Sequence, residues 1–278
     1  MKDFNERFIH LGDIALNVSE NKGGNPPLLL IHGWGESWQT WRSVLPLLAL
    51  HYDVSAVDLR GFGRSGRVDH RQSRNTWVSD ISRLIELISP KGTWIIGHSL
   101  GGWIGMMLAK IIPIMVHGVL AEDPFTGPLS GVQRRASQSK TIDWAARAES
   151  LREVNSVAEL SKRLRLKHPE FSLERSLELA TMRFRTDPYL LESLNQTSVD
   201  HNDNFQDVFR LIERPVLVLQ ADYEKGGIMP DIEANRLRRT ISKSKVVKWS
   251  DSGHFIHIER SVDFVKIFNK FSKTDWTG

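Results

Sequence analysis

The chain of 278 residues contains no cysteine, which excludes disulfides, a thiolate nucleophile and cysteine-ligated zinc or iron–sulfur centres together. A long apolar run is also missing. The most apolar stretch, Trp103 to Val116, is interrupted by Lys110 and Pro113 and falls short of the ~20 residues that cross a bilayer; it reads as a buried helix and the strand after it. Charge of one sign is not in excess, because 37 basic and 33 acidic side chains leave only +4. With no long basic run, neither a nucleic acid nor a membrane surface is expected as a partner. The first residues, Met1-Lys2-Asp3-Phe4-Asn5-Glu6, place an acid where a secretory leader has its apolar stretch, so a cytoplasmic protein is expected. Internal repeats and low-complexity tracts are absent as well.

What is present suits a large core: 40% hydrophobic residues and nine tryptophans. Phe8 to Leu11 and Ile14 to Val18 flank Gly12-Asp13, the composition of a hairpin. After Gly23-Gly24-Asn25-Pro26-Pro27 come three continuous apolar runs, Leu28 to Ile31, Val54 to Val57 and Trp94 to Ile96, each followed by polar or glycine residues and then a helical pattern. Continuous runs alternating with helices predict a mostly parallel sheet covered on both faces. Val116 to Ala121, Pro215 to Leu219 and Val246 to Trp249 add three strands, for eight in all. The helical stretch Asp231 to Thr240 follows the second of these, and Phe255 to Phe271 reads as one closing helix. Between Pro124 and Leu211 the repeat stops, and amphipathic patterns such as Val157 to Leu166 and Leu173 to Phe184 predict a helical insertion. Its thirteen Lys/Arg and twelve Asp/Glu nearly cancel, as on a solvated lid. The expected organisation is an α/β core over 1–123 and 212–278 with a helical cap over 124–211.

Gly97-His98-Ser99-Leu100-Gly101 follows the strand Trp94 to Ile96 and precedes the helical stretch Gly102 to Ile111. This is the G-x-S-x-G nucleophile elbow in the context it requires. A sharp strand-to-helix turn strains the serine and exposes its hydroxyl, the glycines remove colliding side chains, and the helix start favours developing negative charge. Three further segments lie in matching order: His32-Gly33-Trp34-Gly35 after the third strand, Asp58-Leu59-Arg60-Gly61-Phe62-Gly63-Arg64-Ser65 after the fourth, and Gly253-His254-Phe255 after the last. With these, the sequence resembles the α/β-hydrolase superfamily, in the form that carries a helical cap, over nearly its whole length.

The resemblance implies site residues. Ser99 takes the nucleophile position. His254 takes that of the base, an imidazole able to accept the serine proton and return it. The oxyanion donors are the backbone N–H groups of Leu100, after the nucleophile, and of Trp34, after His-Gly. His98 and His257 read as supporting residues, and Asp58 to Ser65 as a structural turn. The acid stays open. Most members place it after the seventh strand, where Asp222 comes early and Glu224 fits only if Ala221 replaces a glycine. Haloalkane dehalogenases and zearalenone-lactone hydrolases carry it after the sixth strand, where Asp123 matches without a gap. Asp123 is favoured, with Asp222 and Glu224 as alternatives.

A serine in the elbow points to acyl transfer and away from relatives that use aspartate. The expected reaction is hydrolysis of a carboxylic ester or lactone of a small to medium apolar molecule through an acyl-enzyme on Ser99, with no cofactor and no metal. Carbon–carbon hydrolysis of ring-cleavage products is an alternative, as is a slow-turnover ligand receptor of the same fold. Phe125, Trp144, Phe184 and Tyr189 are candidate apolar walls of the substrate pocket, and a monomer or homodimer is expected.

Overall fold

The computed structural model describes residues 4–68, 73–124, 126, 144–169, 171–195 and 205–274, with the side chains of 144–147, 192–195 and 205–207 outside that description. Its centre is one sheet of eight strands, β1 (Asn5–His10), β2 (Ala15–Asn21), β3 (Pro27–Ile31), β4 (Asp53–Val57), β5 (Thr93–His98), β6 (Val116–Glu122), β7 (Val216–Ala221) and β8 (Ser244–Trp249). They lie in the order β1-β2-β4-β3-β5-β6-β7-β8. β2 runs antiparallel to β1 and β4, and every other pairing is parallel. The order reverses between β3 and β5, the place where an open α/β sheet leaves a crevice at its carboxyl edge.

The apolar runs are continuous because both faces are covered. Successive side chains point to opposite faces: Leu29, Ile31, Ile95, Val119, Val216 and Val218 enter one core, while Leu28, Leu30, Ile96, Leu120, Leu217 and Leu219 enter the other. The first core is closed by α2 (Arg74–Ile88), α3 (Leu100–Ile111) and α9 (Asp231–Thr240). The second is closed by the 3-10 segment Trp38–Ser43, α1 (Leu45–Leu48) and α11 (Ser261–Lys273). Burying one Leu, Ile or Phe side chain is worth about 1.5–3 kcal/mol, so these two layers hold the carboxyl edge of the sheet in place.

The closing helix is broken where one was expected. A short helix α10 (Ile256–Glu259) ends at Arg260 before α11 begins, because the first piece is held from the side: the backbone N–H of His257 donates to Glu122, and the Ser43 hydroxyl donates to the His257 carbonyl.

Between β6 and β7 the described residues form only helices: α4 (Trp144–Arg152), α5 (Val157–Lys167), α6 (Leu173–Phe184), α7 (Pro188–Asn195) and α8 (Phe205–Arg210). Serine caps start two of them. Ser156 accepts the N–H of Glu159, whose carboxylate reaches back to Asn155, and Ser172 accepts the N–H of Arg175, each cap worth about 1 kcal/mol. α5 and α6 bury Leu160, Leu164, Leu179 and Met182 in a small core of their own. α8, inside the span read as a cap, instead packs Phe209 into the first core of the sheet.

Candidate active site

The elbow turns at Ser99, whose backbone adopts φ 51 and ψ −111 and whose N–H donates to the Glu122 carbonyl at 2.9 Å. A side chain at Gly101 would run into the carbonyls of Ile31 and His32, and one at Gly97 into the carbonyl of Gly101; the turn is too tight for either. Among the described residues only Ser99 and Asp123 are non-glycine residues with positive φ. Such conformations cost on the order of 1–3 kcal/mol and persist where surrounding structure imposes them.

Asp123, at φ 38 just beyond β6, turns its carboxylate across β7. One oxygen accepts the Ile228 N–H at 2.8 Å and lies 2.7 Å from His254 Nδ1; the other accepts the N–H groups of Ala221 and Met229 at 3.3 Å. Burial opposes its ionisation, but the hydrogen bond and charge of His254, with the N–H groups of Ile228 and Ala221, outweigh it and hold the carboxyl below its usual range. A carboxylate partner makes Nδ1 of His254 the donor, which leaves Nε2 as the basic nitrogen. Nε2 makes no hydrogen bond among the described residues, to Ser99 or otherwise.

The other two carboxylates stand apart. Asp222 accepts the N–H of Glu224 and caps the short turn Tyr223–Lys225, while its own N–H donates to the Ser252 carbonyl. Glu224 is exposed on that turn. The carboxylate that meets His254 is that of Asp123.

The His32 loop is oriented by its own first residue. His32 Nε2 accepts the Leu59 N–H at 3.0 Å, so the ring proton is on Nδ1, which donates to the Gly33 carbonyl at 2.7 Å. Burial lowers the His32 pKa, in keeping with this neutral tautomer. In a trans peptide the N–H points opposite to the C=O, so fixing the Gly33 carbonyl on His32 turns the Trp34 N–H the other way. A Cβ at Gly33 would stand 2.7 Å from Glu36 Oε1 and from His98 Nδ1, and 3.1 Å from Ser99 Cβ; the loop rests directly on the elbow. The Leu100 N–H opens α3 as its first residue, a position with no intrahelical acceptor; the N–H groups of Gly102 and Trp103 already reach the Ser99 carbonyl. The Trp34 indole packs edge-on to Phe62 and Trp77 and meets the cluster of Ala148 in α4 and Leu191 in α7.

The expected pocket walls fare differently. Phe125 and the side chain of Trp144 lie outside the described residues. Phe184 and Tyr189 are 38% and 41% exposed, because α4 and α7 turn other side chains to the core, Ala148 and Leu191 to Trp34 and Leu190 to Gly61. Arg175 of α6 stacks over Phe255, the residue after His254, at 4.8 Å.

Sequence reasoning missed Glu36 and Glu122. Both are buried, and each holds a histidine: Glu36 pairs with His98 at 2.9 Å, and Glu122 with His257 at 2.8 Å. Glu36 also accepts the Gly33 N–H at 3.1 Å. The spacing Gly33-x-x-Glu36, a carboxylate three residues after a tight glycine, is the only local signal of it. No helix of the described residues is long and apolar enough to cross a membrane, and none of their His, Asp and Glu side chains cluster as a metal site.

A family model described as alpha/beta hydrolase fold matches residues 26–261. The chain is 25% identical to a 2-hydroxy-6-oxo-2,4-heptadienoate hydrolase of Pseudomonas putida over 95% of both chains. It is 26% identical to a 2-hydroxymuconate semialdehyde hydrolase of a Pseudomonas species, covering 95% of this chain and 93% of that one. Among solved structures it is similar to the enol-lactonase of Burkholderia xenovorans, at 18% identity and a TM-score of 0.76, over 96% of this chain and all of the other.

Proposed function

The chain belongs to the alpha/beta hydrolase fold family, and from that premise we propose that it is a serine hydrolase that cleaves a carboxylic ester or lactone through an acyl-enzyme on Ser99. The observation that carries this reading is the bond of 2.7 Å from His254 Nδ1 to the strained Asp123, which fixes the tautomer a general base needs. Ser99 Oγ forms a bond to the carbonyl carbon as its proton passes to His254 Nε2. The electron pair of the carbonyl becomes an oxyanion that accepts the N–H groups of Trp34 and Leu100. Collapse breaks the bond to the leaving oxygen, which takes the proton from His254. Water then repeats the sequence on the acyl-enzyme and frees Ser99.

The full-length relatives favour a second reading. A 2-hydroxy-6-oxo-2,4-heptadienoate has a ketone, an enol and a carboxylate but no ester, so its hydrolysis breaks a carbon–carbon bond, with the same serine attacking the ketone and the leaving carbon taking a proton. One comparison separates the two. With p-nitrophenyl acetate, the ester reading expects a burst of nitrophenol equal to the enzyme present, lost in Ser99→Ala. Acetate release from the heptadienoate at a higher kcat/KM than from any ester or lactone tried would assign the second reading. Turnover of esters by Ser99→Ala at the wild-type rate would remove both.

A further inference from the structure

Glu36 takes no part in the reaction as proposed, yet its carboxylate is sealed beneath it. His98 Nδ1 lies 2.9 and 3.2 Å from its two oxygens, and His98 Nε2 lies 2.9 Å from the backbone carbonyl of His254. Neither a carboxylate nor a carbonyl has a proton to give, so both ring nitrogens donate, and only the imidazolium can do that. Glu36 meanwhile accepts the Gly33 N–H. One buried ion pair therefore connects the backbone of the oxyanion loop, at the residue before Trp34, to the backbone of the proposed base.

We propose that Glu36 and His98 are a positioning pair whose charged form holds the oxyanion loop and the His254 loop at their working separation. The inference rests on the serine-hydrolase reading. A neutral His98 has one N–H, so loss of its proton to hydroxide sets a ring lone pair against either Glu36 or the His254 carbonyl and releases one loop. Removing an opposite charge beside a buried partner is costly, whereas a buried pair as a whole returns little net stability; geometry is what this pair supplies. Several charged and titratable groups surround His98. Glu122 of β6 faces it as a second negative charge, the rings of His254 and His257 lie 4.4 and 5.3 Å away, and His32 acts on it from the end of β3. Burial lowers its pKa, but the charges of Glu36 and Glu122 and the bonds to Glu36 and His254 prevail and raise it to about 9.

Glu36→Gln provides the test, because its amide can rebuild every bond without charge. The amide oxygen accepts from Gly33, the amide N–H donates to a neutral His98 Nδ1, and Nε2–H still reaches the His254 carbonyl. The experiment follows kcat and KM for p-nitrophenyl acetate, and the rate of Ser99 labelling by a fluorophosphonate, from pH 6 to 10.5 in wild type, Glu36→Gln and Glu36→Ala. Wild-type kcat and labelling are expected to fall as pH rises through about 9. In Glu36→Ala, kcat falls about 100-fold at pH 7 with KM little changed, the scale of a misplaced catalytic group. Glu36→Gln restores most of that loss and lacks the alkaline fall. The same alkaline fall in Glu36→Gln as in wild type, no fall in wild type, or a wild-type kcat in Glu36→Ala would each overturn the proposal. If Glu36→Ala does not fold, the comparison of wild type with Glu36→Gln decides alone. A wild type that neither labels nor turns over would instead refute the hydrolase reading.

Discussion

Two adjacent carboxylates at the end of β6 each hold a histidine, one from the loop before α10 and one from α10 itself, and the two pairs differ in what they leave open. Asp123 takes His254 and Glu122 takes His257, at 2.7 and 2.8 Å. The positive φ of Asp123, just past the end of β6, turns its carboxylate away from that of Glu122, and the second nitrogen then decides. His257 Nε2 lies 3.1 Å from both the carbonyl and the hydroxyl oxygen of Thr40, and its ring packs on Trp41 at 4.4 Å, fully buried. The His254 side chain is 19% exposed, with Nε2 unengaged among the described residues. An imidazole on a carboxylate becomes a base only if its far nitrogen is left open to a substrate; closing that nitrogen turns the same pair into a brace.

The largest expected effect falls on the open pair. His254→Ala lowers kcat for an ester about 10⁴-fold or more in the folded protein, read by stopped assays on enzyme whose fold is checked by circular dichroism. Asp123→Asn comes next, at about 10⁴-fold through the wrong tautomer, while Asp222→Asn and Glu224→Gln stay within a few-fold. The reverse ranking would move the acid to the seventh strand. In the closed pair the effect shifts to stability. His257→Ala leaves Glu122 buried without its partner and costs about 3–5 kcal/mol in urea unfolding, with most of kcat kept in the folded fraction. If His257→Ala instead abolished kcat with unfolding unchanged, the distinction between base and brace would fail.

The smallest effect concerns the third buried pair. His98 is raised from 6.5 to about 9, so its contribution is complete below pH 6.5 and is lost as pH rises through 9. Glu36 is lowered from 4.5 to about 2: burial opposes this, and the charge and hydrogen bond of His98 prevail. Its contribution is complete above pH 4.5 and is lost as pH falls through 2. By linkage, the stability advantage of wild type over Glu36→Gln is greatest between pH 4.5 and 6.5 and shrinks on both sides. Urea midpoints at pH 3, 5.5 and 9.5 read this directly, and a difference that is constant with pH would contradict it.

Local patterns made much of this legible. Continuous apolar runs foretold a sheet covered on both faces, and Gly97 to Gly101 marked the elbow because its tightness is written in adjacent residues. Helices such as Leu173–Phe184 and Asp231–Thr240 showed their period. The buried pairs were not legible, since Glu36 is 62 residues from His98 and Glu122 is 135 from His257, and a Glu or His alone carries no sign of its partner. The choice among Asp123, Asp222 and Glu224 stayed open for a related reason: spacing locates a loop, whereas the positive φ that turns the Asp123 oxygens toward His254 comes from packing. The break at Arg260 was hidden because the apolar period runs through it, and only the side bonds of His257 interrupt the helix.

Acyl transfer by this chain requires an activated serine at the elbow. Intact mass after exposure to a fluorophosphonate, with Ser99→Ala alongside, tests that claim most directly. A single adduct on wild type, missing from Ser99→Ala, is the expected result. A wild type without an adduct, or an adduct that persists on Ser99→Ala, would contradict it.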